Sequence, residues 1–393
     1  MILLPDDFCN QMRSQFSEAE YTEFMNSMNE ACPVSIRLNP LKQEQTDCKI
    51  QGEPIPWCKD GIYLSERPSF TMDPLFHAGA YYVQEASSMF ISYLCNWIKQ
   101  QGEWDMPINA LDLCAAPGGK STLLYSELPD HSLLIANEIM PKRAQILKEN
   151  IHKWTMGVTK DINVYVTNNK SEDFKNAGKD LFDFILCDAP CSGEGMFRKD
   201  SKAIEDWSLS NVNMCQERQR DIVTAIWPTL KDGGYMIYST CTYNYKEDED
   251  NVKWISEELG ADIIDLDVPK EWGISESPFF HFYPNKTKGE GFFCALLRKH
   301  EDYSHTRNKA IDKAINKNLK VLNIENKFEP PYVDVDSNTA LRYLHGEALT
   351  LPAETPRGLI TITYQGLPLG QVKNIGNRAN NLYPKEWRIR KQI

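Results

Sequence analysis

The chain has 393 residues, 41% hydrophobic and 25% charged, the balance of an ordinary globular protein with room for two or three domains. Its eleven cysteines are scattered without a CxxC pair, so neither a disulfide framework nor a zinc cluster is expected, no metal site is expected, and reduced thiols in a cytoplasm fit better. A formal charge of −12, an N-terminus without a basic flank, and no apolar run near the ~20 residues that span a bilayer argue against a general nucleic-acid coat, a signal peptide and a membrane helix.

Residues 1–30 carry Phe8, Met12, Phe16, Tyr21, Phe24 and Met25 at helical spacing, which predicts one or two amphipathic helices. Residues 33–40 read as a strand closed by proline, and Gly61 to Leu64 as another. Together they predict a small α+β domain over residues 1–75. Tyr81 to Gln100 resumes a helical pattern. From about residue 108 strands and helices alternate, with strands expected at 110–113, 133–137, 162–167, 182–187 and 234–239, and further strands at 262–266 and 292–297. Pro141 opens a helix and Lys231-Asp232-Gly233-Gly234 is a turn feeding the next strand. The expected catalytic domain is therefore a doubly wound, Rossmann-like α/β sheet over residues 76–300.

Residues 301–327 are charged and poor in large apolar side chains, and read as a linker with room for a short helix. Beyond them, Leu359 to Tyr364 alternates and meets Gln365-Gly366, a hairpin signal in a small, mostly β domain over 328–393. From Arg357 onward there are seven basic residues, including Lys373, Arg388, Arg390 and Lys391, against Glu386 alone, a net of +6. A basic tail on an acidic body points to a polyanion handled at one place.

Three strand ends carry the chemistry. Cys114-Ala115-Ala116-Pro117-Gly118-Gly119-Lys120 follows one strand and opens a helix, and its small residues let a nucleotide-like ligand approach the backbone. It is neither GxGxxG nor a Walker A sequence. Glu138 ends the next strand about 20 residues on, where an acid binds ribose hydroxyls. Cys191 lies in Asp188-Ala189-Pro190-Cys191-Ser192-Gly193, and Cys241 in Ser239-Thr240-Cys241-Thr242, each in a polar turn past a strand end. In an open α/β sheet such ends converge on one pocket.

A methyl sulfonium cofactor beside a nucleophilic thiol suits one reaction. Carbon 5 of cytosine is too electron-poor to take a methyl group unaided. A thiolate added at carbon 6 makes it enamine-like, an acid such as Asp188 near N3 stabilises the developing charge, and a base then removes the carbon 5 proton.

In this order the motifs are specific. Arg37 to Lys42, His77 to Ser88, Leu111 to Lys120, Asn137-Glu138-Ile139 with Arg143, Asp188 to Lys199, Ser239 to Tyr243 and Lys288 to Phe293 resemble the RsmF/Sun-type RNA (cytosine-5) methyltransferases, and in particular their bacterial RsmF-type 16S rRNA members. The resemblance implies a cytoplasmic enzyme that uses S-adenosylmethionine. Cys241 would be the nucleophile, Cys191 would assist release, and Asp188 would sit between cofactor and cytosine. Residues 114–120 would hold the methionine part, Glu138 the ribose, Asn169 the adenine, and Arg143 would belong to the same cofactor site. Where the family often shows Glu-Glu-Asn-Glu, this chain has Lys246-Glu247-Asp248-Glu249. The tail resembles a PUA-like RNA-binding domain, and the implied partner is rRNA, free or in the assembled small subunit. A tRNA target and a non-catalytic RNA-binding assembly factor stay open as alternatives. An exocyclic amino-group methyltransferase would need no thiol.

Overall fold

The computed structural model describes residues 2–45, 50–300, 311–324 and 328–390. Helices α1 (Asp6–Gln15) and α2 (Glu18–Ser27) open the chain, and Ser17 starts α2 through a reciprocal capping box with Glu20. Their apolar stripe does not join the sheet that follows. Phe8 packs edge-on against Phe197 and Trp207, and Phe24 against Tyr243, so the pair leans on the loops that carry the two cysteines.

Strands β1 (Val34–Leu38), β2 (Glu53–Ile55), β3 (Cys58–Leu64) and β4 (Tyr81–Val83) form an antiparallel sheet in the order β2-β3-β1-β4, with helix α3 (Pro74–His77) before the last strand. The helical pattern expected from Tyr81 onward begins only at α4 (Phe90–Gln100). Tyr81, Tyr82 and Val83 are aromatic and β-branched, and β1 offers them an open edge, with Arg37 facing Tyr82. Pairing with a distant strand overrides the local periodicity.

The central sheet has nine strands. A parallel core comprises β5 (Asn109–Asp112), β6 (Leu133–Asn137), β7 (Asn163–Thr167), β8 (Phe182–Asp188) and β9 (Leu230–Thr240). Antiparallel strands β10 (Ala261–Ile263), β11 (Phe280–Phe282), β12 (Phe292–Lys299) and β13 (Val321–Leu322) complete it, giving the order β10-β12-β9-β8-β5-β6-β7-β13 with β11 on β12. The intervening helices are α5 (Gly119–Glu127), α6 (Pro141–Thr155), α7 (Ser171–Ala177), α8 (Ser201–Asp206), α9 (Leu209–Ile226), α10 (Glu249–Leu259) and α11 (Ile311–Asn318). The fold is a Rossmann-like, doubly wound mixed sheet.

Both faces of the sheet are covered, which is why its strands read as continuous apolar runs. On one face Ala110, Leu134, Phe184 and Ile237 pack with Leu94 of α4 and Leu124 of α5. On the other, Leu111, Ile135, Ile185 and Met236 meet Phe174 of α7, Val223 of α9 and Ile255 of α10. The chain order reverses at β5, which has β6 on one side and β8 on the other. Ligands bind beyond the strand ends at such a reversal.

Within the expected linker, α11 buries Ile315 in the second of these clusters, and β13 extends the sheet beside β7. Residues 301–310 and 325–327 lie outside the described residues. The last unit has β14 (Tyr332–Asp334) parallel to β15 (Gly358–Tyr364), the hairpin β15/β16 (Leu367–Asn374), β17 (Ala379–Asn381) and helix α12 (Ser337–Leu344). Its Tyr343 and Ile362 share one core with Ile36, Leu75 and Tyr81 of the N-terminal sheet.

Candidate active site

The turn after β5 is set by a left-handed glycine. Gly118 has φ +117°, and a Cβ there would lie 3.2 Å from the Leu147 side chain. Neighbours hold the turn from three sides: Arg143 donates to the Ala116 carbonyl at 2.7 Å, Asn150 to Pro117 at 2.8 Å, and Arg37 to Gly119 at 3.1 Å and to the Thr122 hydroxyl at 2.6 Å. Arg37 thereby ties the N-terminal sheet to the start of α5. Its guanidinium lies over the Trp154 ring, and burial lowers its pKa to about 10.

Beyond this turn opens a cavity of about 720 Å³, lined by Cys114, Ala116, Glu138, Arg143, Asn169, Asp188, Cys191 and Cys241 among others. Ala115, Pro117, Gly118, Gly119 and Lys120 shape the turn and are not among its lining residues. Glu138 is only 2% exposed; its carboxylate accepts from the Met140 N–H at 2.9 Å and lies 3.4 Å from Arg143. Asn169 has both ends of its amide engaged, accepting from the Lys320 N–H at 3.0 Å and donating to Asp173 at 3.3 Å.

The two cysteine turns meet beside this same cavity, which both thiols line. Cys191 Sγ and Cys241 Sγ are 3.2 Å apart, and both are free thiols. The hydrogen bond to Cys241, and then burial, push the Cys191 thiol well above the usual cysteine range. Gly195 donates its N–H to the Cys241 carbonyl at 2.9 Å, and a Cβ on Gly195 would sit 2.9 Å from that same oxygen, so only glycine fits. Asp188 accepts from Ser239 Oγ at 2.8 Å and from Lys120 Nζ at 2.9 Å. Burial works against the Lys120 charge, yet Asp188 beside it holds that ammonium above the ordinary lysine pKa.

Two buried carboxylates stitch the turns together. Glu247 accepts from the Ser192 N–H at 3.0 Å, Gln219 at 2.7 Å and Asn244 at 2.8 Å. Glu194 accepts from the Tyr243 N–H at 2.8 Å and from Trp207 Nε1 at 3.0 Å. Sequence reasoning singled out neither as a site residue. It also passed over Arg218, Asp221 and Ile222, which line the cavity from α9. Their spacing of three and four residues on one helix was the available signal, but it is equally that of any solvated helix face.

Residues 100–298, just over half the chain, match the family of 16S rRNA methyltransferase RsmB/F. The chain belongs to that family. Residues 4–86 match the N-terminal domain of 16S rRNA methyltransferase RsmF, and residues 331–389 the methyltransferase RsmF PUA domain. Ribosomal RNA small subunit methyltransferase F of Aliivibrio fischeri is 35% identical over 316 residues, 76% of this chain and 64% of that protein. The Escherichia coli protein of the same name is 32% identical over 317 residues, again covering 76% of this chain and 64% of its own length. The chain thus spans a little under two thirds of these RsmF relatives. Among solved structures, NSun6 from Pyrococcus horikoshii with SFG has a TM-score of 0.59 at 21% identity, covering 76% of this chain and 99% of that one. A methyltransferase homolog protein from the same organism has a TM-score of 0.62 at 24% identity, over 75% and 95% of the two chains. Both share the fold of this RsmB/F member.

Proposed function

We propose that this chain methylates carbon 5 of a cytosine in small-subunit rRNA, using S-adenosylmethionine. The observation that carries the reading is the pair of free thiols 3.2 Å apart that line one cavity together with Cys114 and Ala116 of the turn and the buried Glu138. The cavity fits the cofactor on its own chemistry. Small Ala116 lines the cavity just before the N-terminus of α5, which favours a carboxylate, and Glu138 offers an acceptor for paired hydroxyls. When bound, S-adenosylmethionine supplies an electrophilic methyl group. Residues 114–120 with Arg143 would hold its amino-acid end, Glu138 its ribose, and Asn169 would border the adenine. With both ends of the Asn169 amide engaged, its contact there would be packing more than hydrogen bonding.

The protein side of the reaction follows from the two turns. Cys241 adds as thiolate to carbon 6 of the base. Asp188, which lines the cavity and is paired with Lys120, would share a proton with N3 as electrons move into the ring. Once carbon 5 carries the methyl group, its proton must leave before the carbon 6–sulfur bond can break. Cys191 Sγ lies 3.2 Å from the reacting sulfur, and its high proton affinity makes it a strong base once its own proton has left. For this Cys191 first gives its own proton to water, the one net proton the reaction releases; as thiolate it takes the carbon 5 proton, N3 returns its proton, the ring electrons return, and Cys241 departs as thiolate.

The RNA would be held on the PUA-like tail and the N-terminal sheet, which share one core. Whether free or assembled, the rRNA target is tested by bisulfite mapping of 5-methylcytosine in small-subunit RNA from cells carrying the wild-type chain or Cys241→Ala. The reading expects one cytosine methylated by the wild type and unmethylated with the variant, an activity loss of about 10³-fold or more. Methylation retained at the wild-type level would overturn it.

A further inference from the structure

Behind the thiol turns lies a second cluster that the proposed methyl transfer does not use. Asp248 and Glu249 stand at the start of α10, and His281 lies in the middle of β11. One ligand atom from each of the three lies within 4.8 Å of the others, and all three side chains are buried, His281 at 3% exposure and Asp248 fully. The hydrogen bonds within the group leave it incomplete. His281 Nε2 meets Glu249 Oε1 at 2.7 Å, and the Thr240 hydroxyl donates to Asp248 Oδ1 at 2.6 Å. Asp248 Oδ2, Glu249 Oε2 and His281 Nδ1 have no partner, although each is shut off from solvent.

An orphaned polar atom on each member of one buried cluster calls for an occupant. Two carboxylates this close and this dry cannot both stay ionised without a cation between them. Aromatic rings close the surroundings: His281 stacks on Tyr283 at 4.9 Å and touches Phe293 at 4.7 Å and Tyr245 at 6.3 Å. Among the described residues no lysine or arginine is seen paired with Asp248 or Glu249.

We propose that Asp248, Glu249 and His281 form a binding site for a first-row divalent cation. One imidazole nitrogen and two carboxylate oxygens are a ligand set that such ions accept, and a charge of +2 balances the two carboxylates around a neutral imidazole. The ion would be structural. It would join the start of α10 to β11, and through Asp248 and the Thr240 hydroxyl it would brace the residue that precedes Cys241. Cysteine spacing gives no hint of such a site, because no thiol takes part.

The test uses Co²⁺ alone as probe, added to the full chain purified without a histidine tag and stripped with a chelator. The expected result is about one equivalent of Co²⁺ per chain, with visible d–d absorption, no thiolate charge-transfer band, and a rise in the thermal midpoint. Asp248→Asn keeps the acceptor for Thr240 and should weaken binding about ten-fold or more, as should His281→Phe, which keeps the ring packing. Absence of binding by the wild type would overturn the site, and so would a thiolate band or unchanged affinity in Asp248→Asn. If His281→Phe does not fold, the wild-type titration and Asp248→Asn still decide. The readout is metal binding, so it stands or falls separately from the proposed methyl transfer.

Discussion

Cys191 Sγ and Cys241 Sγ lie 3.2 Å apart, close enough for one S–H to donate to the other sulfur, and the Cys241 N–H approaches Cys191 Sγ at 3.4 Å. On the proposed reading the two thiols would do different work, Cys241 adding to the base and Cys191 taking the carbon 5 proton. Deeper in the turn, burial pushes the Asp112 carboxyl up to about 7 against the opposing hydrogen bond from Ser121 Oγ at 2.6 Å. An unfolded aspartate titrates near ~3.9. The folded state therefore binds more protons between those values, so this contribution to stability is complete below ~4 and is lost as pH rises through about 7. Asp112→Asn keeps an acceptor for Ser121 and removes the titration. Urea unfolding at about pH 5 and about pH 8 should show the wild type losing stability relative to the variant at the higher pH. Parallel pH profiles would refute the assignment.

The elements that place these residues were unevenly legible. The run Phe184-Ile185-Leu186-Cys187 is apolar on both sides because helices cover both faces of β8, so a buried parallel strand was readable directly. Tyr81 to Val83 was not, because its pairing with β1 depends on residues more than 40 positions away. The segment over α11 and β13 reads as polar, yet it follows the sheet edge beside β7, where a two-residue strand and one buried Ile315 suffice. The thiols were readable from their turns, but the carboxylates that hold those turns were not, since Glu194 and Glu247 look like surface acids until their donors are known. Each faces only donors. Glu194→Gln or Glu247→Gln turns an amide N–H toward another N–H and should cost about 1–3 kcal/mol of stability. It should also slow methyl transfer while leaving cofactor affinity within about two-fold. Thermal unfolding, single-turnover rates and calorimetric titration check this, and an equal loss of cofactor binding would show a wider collapse of the sheet ends.

Across the whole molecule, the N-terminal segment touches both other units. Helices α1 and α2 pack on the Cys191 and Cys241 loops, and Gln11 reaches Glu194 at 3.2 Å. The C-terminal unit packs on the N-terminal sheet, and Arg388 and Arg390 border a cavity of about 390 Å³ with His77 and Lys153. Lys391 lies outside the described residues. No helix among the described residues is long and apolar enough to cross a membrane. On the proposed reading this basic edge would help to hold RNA electrostatically. Replacing Arg388 and Arg390 with Ala should flatten the slope of log binding constant against log salt by about 1.5, measured by filter binding between ~50 and ~200 mM salt. An unchanged slope would make those charges bystanders.

The division of labour between the thiols is tested most directly with Cys191→Ala, incubated with S-adenosylmethionine and small-subunit rRNA, then run on a denaturing gel. Addition proceeds without Cys191 but release does not, so a covalent protein–RNA band should accumulate, and mass spectrometry should place the attached nucleotide on Cys241. A variant that turns over at the wild-type rate without any such band, or an adduct on another residue, would contradict the account.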